Sequence, residues 1–174
     1  MKTGRDDRVR IEPLEADDVE RLAVLAREIW YAHYPAIIGA AQIEYMLGRR
    51  YRLDVVRAEL QREGLWWTKL MVGEEMVAFA SYFLTGVTGE MKIDKLYVHP
   101  RHQRRGHGGT LITHIDRVAR SRGCERLVLA VNKNNRSAIA AYLKDGFHVA
   151  DSVVKGIGDG FVMDDYIMEK RVTQ

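Results

Sequence analysis

The chain has 174 residues, 47% hydrophobic and 29% charged, with only 3 prolines; this suits one domain over 1–174 and excludes a disordered, collagen-like or low-complexity chain. Its 27 basic residues barely outnumber its 24 acidic ones, too small a surplus to argue for nucleic acid. The single cysteine, Cys124, excludes an internal disulfide and a multi-thiolate metal site, and a reducing cytoplasm is the expected compartment. Apolar runs such as 76–80 fall far short of the ~20 residues that cross a bilayer, and Met1 to Arg10 carries no hydrophobic signal core, so neither a membrane span nor secretion is expected.

Arg8 to Pro13 alternates charged and apolar residues as a short first strand, which Pro13 ends. From Asp17 the period changes. Val19, Leu22, Leu25, Ala26, Ile29 and Trp30 recur at three- and four-residue steps, predicting one buried stripe of a helix with Asp17 and Asp18 at its positive end and Pro35 as its stop. Gln42–Leu47 and Val55–Leu60 read as two shorter helices. Leu65–Val72 and Met76–Leu84 read as strands of a hairpin around Gly73-Glu74-Glu75, with Glu90–His99 as a third neighbour closed by Pro100. A helix follows over Gly108–Arg122, with Gly123 beyond its end. The nearly apolar strand Arg126–Val131 reads as covered on both faces. A helix over Asn135–Asp145 stops at Gly146, and two last strands, Phe147–Val154 and Phe161–Glu169, are split by a turn over 156–160. The order implies an α/β chain, with a mixed sheet and helices on its faces.

The strongest local signal is Gln103-Arg104-Arg105-Gly106-His107-Gly108-Gly109-Thr110, between a strand and an amphipathic helix. A helix start presents unpaired N–H groups and partial positive charge, and glycines let an anion approach them, so the segment reads as a phosphate cradle. No Lys-Ser/Thr follows the glycines, and Leu111 stands where a dinucleotide fingerprint needs a third Gly or Ala, so neither the nucleotide P-loop nor the dinucleotide pattern is met. An ordinary connection into a well-capped helix is the alternative.

Gln103-x-x-Gly106-x-Gly108, preceded by Leu96-Tyr97-Val98-His99-Pro100, resembles the acyl-CoA loop of the GNAT superfamily of N-acetyltransferases. Leu129-Ala130-Val131-Asn132 followed by Asn135, Ala138, Tyr142 and Gly146-Phe147 is similar to the next strand and helix of that family. The resemblance implies a central, mostly antiparallel twisted sheet flanked by helices, its strands splayed at the cofactor site. It implies acetyl-CoA as cosubstrate and no metal. The main chain of Arg104, Arg105, Gly106, His107, Gly108, Gly109 and Thr110 would hold the pyrophosphate, with Gln103 in the same loop. Main-chain groups of Leu96 and Val98 would bind the pantetheine arm where the strands ending at His99 and Asn132 diverge, and Asn135 would contact the cofactor or cap its helix.

Acetylation of an amine needs a neutral nucleophile, oxyanion stabilisation and a proton for the departing thiolate. By the same resemblance, Tyr142 is the candidate acid, with a core aromatic as its other reading, and the Val98 N–H polarises the carbonyl. Glu90, Lys92 and Asp94 share a strand face. Alignment from Gly106 puts Lys92 where some members carry an acid, which leaves Asp94 as the candidate base. His99, His102 and His107 read as polar surface and Cys124 as a structural thiol.

Trp30, Tyr31, Tyr34 and Tyr45, with Glu44, Asp164 and Asp165, could receive an amine from a small molecule or a peptide, and the chain could assemble as a homodimer. Two other functions compete with acetyl transfer. A catalytically inactive acyl-CoA sensor would bind without turnover. A nucleic-acid module would use the seven arginines between Arg101 and Arg126, but cofactor phosphates and helix ends account for these, so no nucleic-acid or membrane partner is expected.

Overall fold

The computed structural model describes residues 8–173, so most of the charged Met1 to Arg10 stretch lies outside the described residues. Its seven-stranded sheet has the order β1-β2-β3-β4-β5-β7-β6, formed by Val9–Pro13, Leu65–Val72, Glu75–Leu84, Glu90–Val98, Arg126–Asn132, His148–Gly158 and Phe161–Arg171 for β1 to β7. The helices are α1 (Val19–His33), α2 (Ala40–Arg50), α3 (Leu53–Leu60), α4 (His107–Ser121) and α5 (Arg136–Lys144). Among the described residues, no helix is long and apolar enough to cross a membrane. The chain divides into two compact units.

The first unit takes the described residues through Ser81 together with Lys95–Leu111. All six apolar residues of the predicted stripe are buried on α1. The helix begins two residues later than the aspartates suggest, because a 3₁₀ turn over Ala16–Asp18 precedes it. Asp18 is itself buried; it accepts from the Glu15 N–H (2.9 Å) and pairs with Lys69 Nζ (2.6 Å). β1 and β2 are antiparallel, with Ile11 opposite Leu70. The β2–β3 turn is Gly73-Glu74 alone, Gly73 taking φ 57°, and Glu75 belongs to the strand.

The second unit takes Tyr82–Asp94 and the chain from Ile112 onward. β4 and β5 are parallel neighbours from Glu90↔Arg126 to Ile93↔Leu129, where the ladder stops. β7 pairs antiparallel with β5 on one side and β6 on the other. β5 corrects the expectation of burial on both faces: Leu127, Leu129 and Val131 are buried, while Ala130 on the opposite face is exposed. The run's apolar character exceeds what the fold covers. The predicted turn over 156–160 contracts to Asp159-Gly160, both at positive φ (52° and 78°), as a tight hairpin requires, and Gly156 to Gly158 enter β6 through a bulge. Asp116, buried on α4, accepts from the Thr173 N–H (3.2 Å) and hydroxyl.

Candidate active site

In the first unit, β4 runs directly into the glycine loop. The His99 N–H donates to the Val77 carbonyl on β3 (2.8 Å). Successive residues of a strand turn their main-chain groups to opposite edges, so Leu96 and Val98 present theirs away from β3, beyond the last pair of the β4–β5 ladder. The loop is tied back to this strand: Gln103 Nε2 donates to the Val98 carbonyl (3.1 Å), and the Arg101 N–H donates to His99 Nδ1 (3.2 Å). The Gln103 side chain thus shapes the loop.

Arg104 and Gly106 both take left-handed backbone, at φ 60° and 80°. For a residue with a side chain that conformation costs about 1–2 kcal/mol, and such turns aim consecutive N–H groups into a concavity that suits an anion. Thr110 closes the first turn of α4 by donating from N and Oγ1 to the Gly106 carbonyl (3.0 and 2.9 Å). Among the described residues, the main-chain N–H groups of Arg104 through Gly109 meet no protein acceptor. Arg104 and Arg105 are exposed and, among the described residues, without an ion-pair partner. At Gly108 a Cβ would meet only Leu96 Cδ2, at 4.0 Å, so the protein's own packing does not call for glycine there. These groups fit a diphosphate: six donors in succession, a helix N-terminus, two free guanidinium groups and a residue without a side chain.

The loop histidines depart from the surface reading. His107 is 7% exposed, and burial holds its imidazole below the ordinary 6.5, with the charges of His102 and Arg105 acting in the same direction. The His99 and His102 side chains are largely covered, and their Nε2 atoms lie 3.5 Å from Glu28 and 3.7 Å from Glu75. The three rings stand 6.2 and 6.3 Å apart in sequence order, and among the described residues no group of His, Cys, Asp or Glu is placed to hold a metal ion.

One feature of this unit had no counterpart in the motif reading. Lys95 on β4 is 3% exposed, its Nζ 4.8 Å from the Trp67 ring centroid and 3.7 Å from Glu59 Oε2, while Trp67 Nε1 donates to the same Glu59 oxygen (2.8 Å). The period of two that buries Met91 and Ile93 places Lys95 inward as well, so its direction was readable, though its partners were not. Around this pair the rings of Tyr51, Trp67, Phe79, Tyr97, Trp30 and Tyr34 form a chain of contacts with centroids 4.4–6.5 Å apart. At its end the Tyr34 and Tyr97 hydroxyls are 3.3 Å apart. Of the aromatic residues considered for an acceptor, Trp30 is core. Tyr31 donates to Glu44, which Arg27 also holds (2.7 Å), and Tyr45 accepts from Arg49 Nη1 (2.5 Å).

In the second unit Tyr142 lies half-buried on α5, its ring 5.7 Å from Phe147. Asn135 caps that helix, its Oδ1 accepting from the Ala138 N–H (3.4 Å). Asn132 accepts from the Asn134 N–H through Oδ1 (2.9 Å) and from the Asn135 N–H through its carbonyl (2.9 Å), so it shapes the turn into α5. Of the three residues on one β4 face, Glu90 pairs with Arg126 (2.7 Å) and accepts from Thr85 (2.8 Å), and Asp94 is half-buried. Asp164 pairs with Lys133 (2.5 Å), and Asp165 is buried.

Residues 22–147 match the profile of the Acetyltransferase (GNAT) family. The chain is 27% identical over 169 residues to a spermidine N(1)-acetyltransferase of Thermoplasma acidophilum, covering 94% of this chain and 97% of that one. The fold matches the PaiA N-acetyltransferase of Thermoplasma acidophilum solved in complex with coenzyme A, at a TM-score of 0.82 and 23% identity over 94% of this chain and 99% of that one. It also matches the ribosomal-protein-S18-alanine N-acetyltransferase of Escherichia coli, at a TM-score of 0.71 and 24% identity over 96% of both chains. With the profile spanning well over half its length, the chain belongs to the GNAT acetyltransferase family.

Proposed function

We propose that this chain transfers an acetyl group from acetyl-CoA to a primary amine of a small molecule, by direct attack of the amine on the thioester. The run of acceptor-free main-chain donors from Arg104 to Gly109 carries the reading. Those donors, with Arg104 and Arg105, would hold the pyrophosphate, and the outward main-chain edge of Leu96 and Val98 would receive the pantetheine amides as a neighbouring strand would. Bound acetyl-CoA supplies the activated acyl group. The Val98 N–H would donate to the acyl oxygen as charge develops on it. By the family pattern, Tyr142 Oη would give its proton to the departing sulfur, and Asp94 would take a proton from the acceptor's ammonium group, directly or through water, leaving the neutral amine that attacks.

A small-molecule acceptor of the polyamine kind is favoured by the spermidine acetyltransferase aligned along nearly its whole length. The experiment is thiol release from acetyl-CoA with spermidine, other polyamines, amino sugars, amino acids and a peptide panel, run beside calorimetric titration of CoA. Turnover with a polyamine supports the full reading. Turnover only with peptides overturns the acceptor, binding without turnover on any amine points to a sensor, and absence of CoA binding removes the reading altogether.

A further inference from the structure

The last hairpin leaves β6 at the end of the strand order, with β7 on one side and, among the described residues, no neighbour on the other. Nine of its eleven residues are exposed, Val154 at 70%. A long uncovered edge of this kind offers unpaired N–H and C=O groups to another chain. Bulges lie between Val149 and Asp151 and between Gly156 and Gly158; from Asp151 to Gly156 the pairing with β7 is regular. In that stretch Asp151, Val153 and Lys155 share one face and Ser152 and Val154 the other.

Asp151 and Lys155 carry opposite charges four residues apart, a separation of about 13 Å along a strand, too far to pair with each other. Among the described residues neither has an ion-pair partner, and Asp151 Oδ1 accepts from the Ser152 N–H (2.7 Å), leaving its other oxygen for a cation. When the same edge is laid antiparallel against itself with Val153 opposite Val153, each Asp151 faces the other copy's Lys155, twice over, and each Val154 faces Ser152. On the Val154 face, Val162 (49% exposed) continues the apolar strip across β7, and the two copies' Val154 side chains become diagonal neighbours at about 7–8 Å.

We propose that two copies of this chain pair through their β6 edges about a two-fold axis at Val153, giving a homodimer with one continuous sheet. The contact is isologous, each surface meeting its own copy, and therefore closed. It is independent of the acetyl-transfer reading. The ladder is short, so the contact is a weak one that forms at high protein concentration.

Sedimentation equilibrium on the full chain tests it. At about 100 µM protein the expected mass is twice 19.9 kDa. Lys155→Asp or Asp151→Lys places like charges opposite each other at two positions and weakens the dimer about tenfold or more. The exchange of both, Asp151→Lys with Lys155→Asp, restores it. Circular dichroism confirms that each variant is folded. A monomeric parent, a dimer indifferent to the single reversals, or a double exchange that fails to recover association while remaining folded overturns the proposal.

Discussion

Replacing Gly108 with valine separates holding the fold from holding the cofactor. Gly108 lies in the first turn of α4 at ordinary φ, and a Cβ there would stand 4.0 Å from Leu96 Cδ2, within normal contact distance. Losing a helical glycine is favourable by a few tenths of a kcal/mol, so stability should move by less than ~1 kcal/mol. Binding should behave otherwise. If the diphosphate approaches the main chain over this residue, two added methyl groups hold it away from at least one N–H, and a hydrogen bond to a charged group is worth about 1.5–3 kcal/mol. That is a loss of ~10- to 150-fold in CoA affinity. Urea unfolding and calorimetric titration of CoA on the same preparation give both quantities. A variant that binds CoA as tightly as the parent would refute the phosphate assignment of the loop, while one that fails to fold would show that Gly108 has a structural duty not visible in its surroundings.

Tyr142→Phe should lower kcat with a good acceptor by about 100-fold and leave the Kd for CoA nearly unchanged, as removal of a general acid does; unchanged turnover would assign the sulfur's proton to another group. Lys95→Met leaves Glu59 without its cation. Breaking a buried pair costs about 3–5 kcal/mol, and because the Glu59 side chain is 25% exposed and can be rehydrated, the lower end is expected in urea unfolding. Adding Glu59→Gln should recover part of that loss; a Lys95→Met variant as stable as the parent would show the pair to be energetically idle. Burial holds His107 and His114 below 6.5, the charges of His102 and Arg105 adding to the effect at His107 and that of Arg117 at His114. The unfolded chain therefore takes up protons first as pH falls: stability is full above about 6.5 and declines below it, toward the depressed folded values. His114→Gln should flatten that decline in melts taken from pH 7.5 to 5; a slope unchanged in the variant would remove His114 from the account.

Periodicity made much of the fold legible. The α1 stripe sits where the three- and four-residue steps place it, because it buries a continuous local face, and β2 fills the Leu65–Val72 run that the Gly73 turn bounds. The loop's place between β4 and α4 was legible too, since its glycines break the strand and helix patterns on either side. What escaped involved partners far apart in the chain. Lys95 could be seen to point inward, but Glu59 and Trp67 reach it only through the fold. Glu90 shared a face with Asp94 in the sequence, but its partner Arg126 comes from the neighbouring strand. The histidines of the loop read as surface because nothing local announces Glu28 or Glu75. β5 misled for another reason: valine and alanine favour a strand whether or not anything covers them.

If the loop holds the donor's phosphates as proposed, the bond from Gln103 to the Val98 carbonyl bears on how the donor is captured. A segment clamped to its own strand has already surrendered its freedom during folding, so a nucleotide that settles on it has little ordering left to impose. Gln103→Ala would return that entropy to the free chain, and the debt would be collected at each encounter.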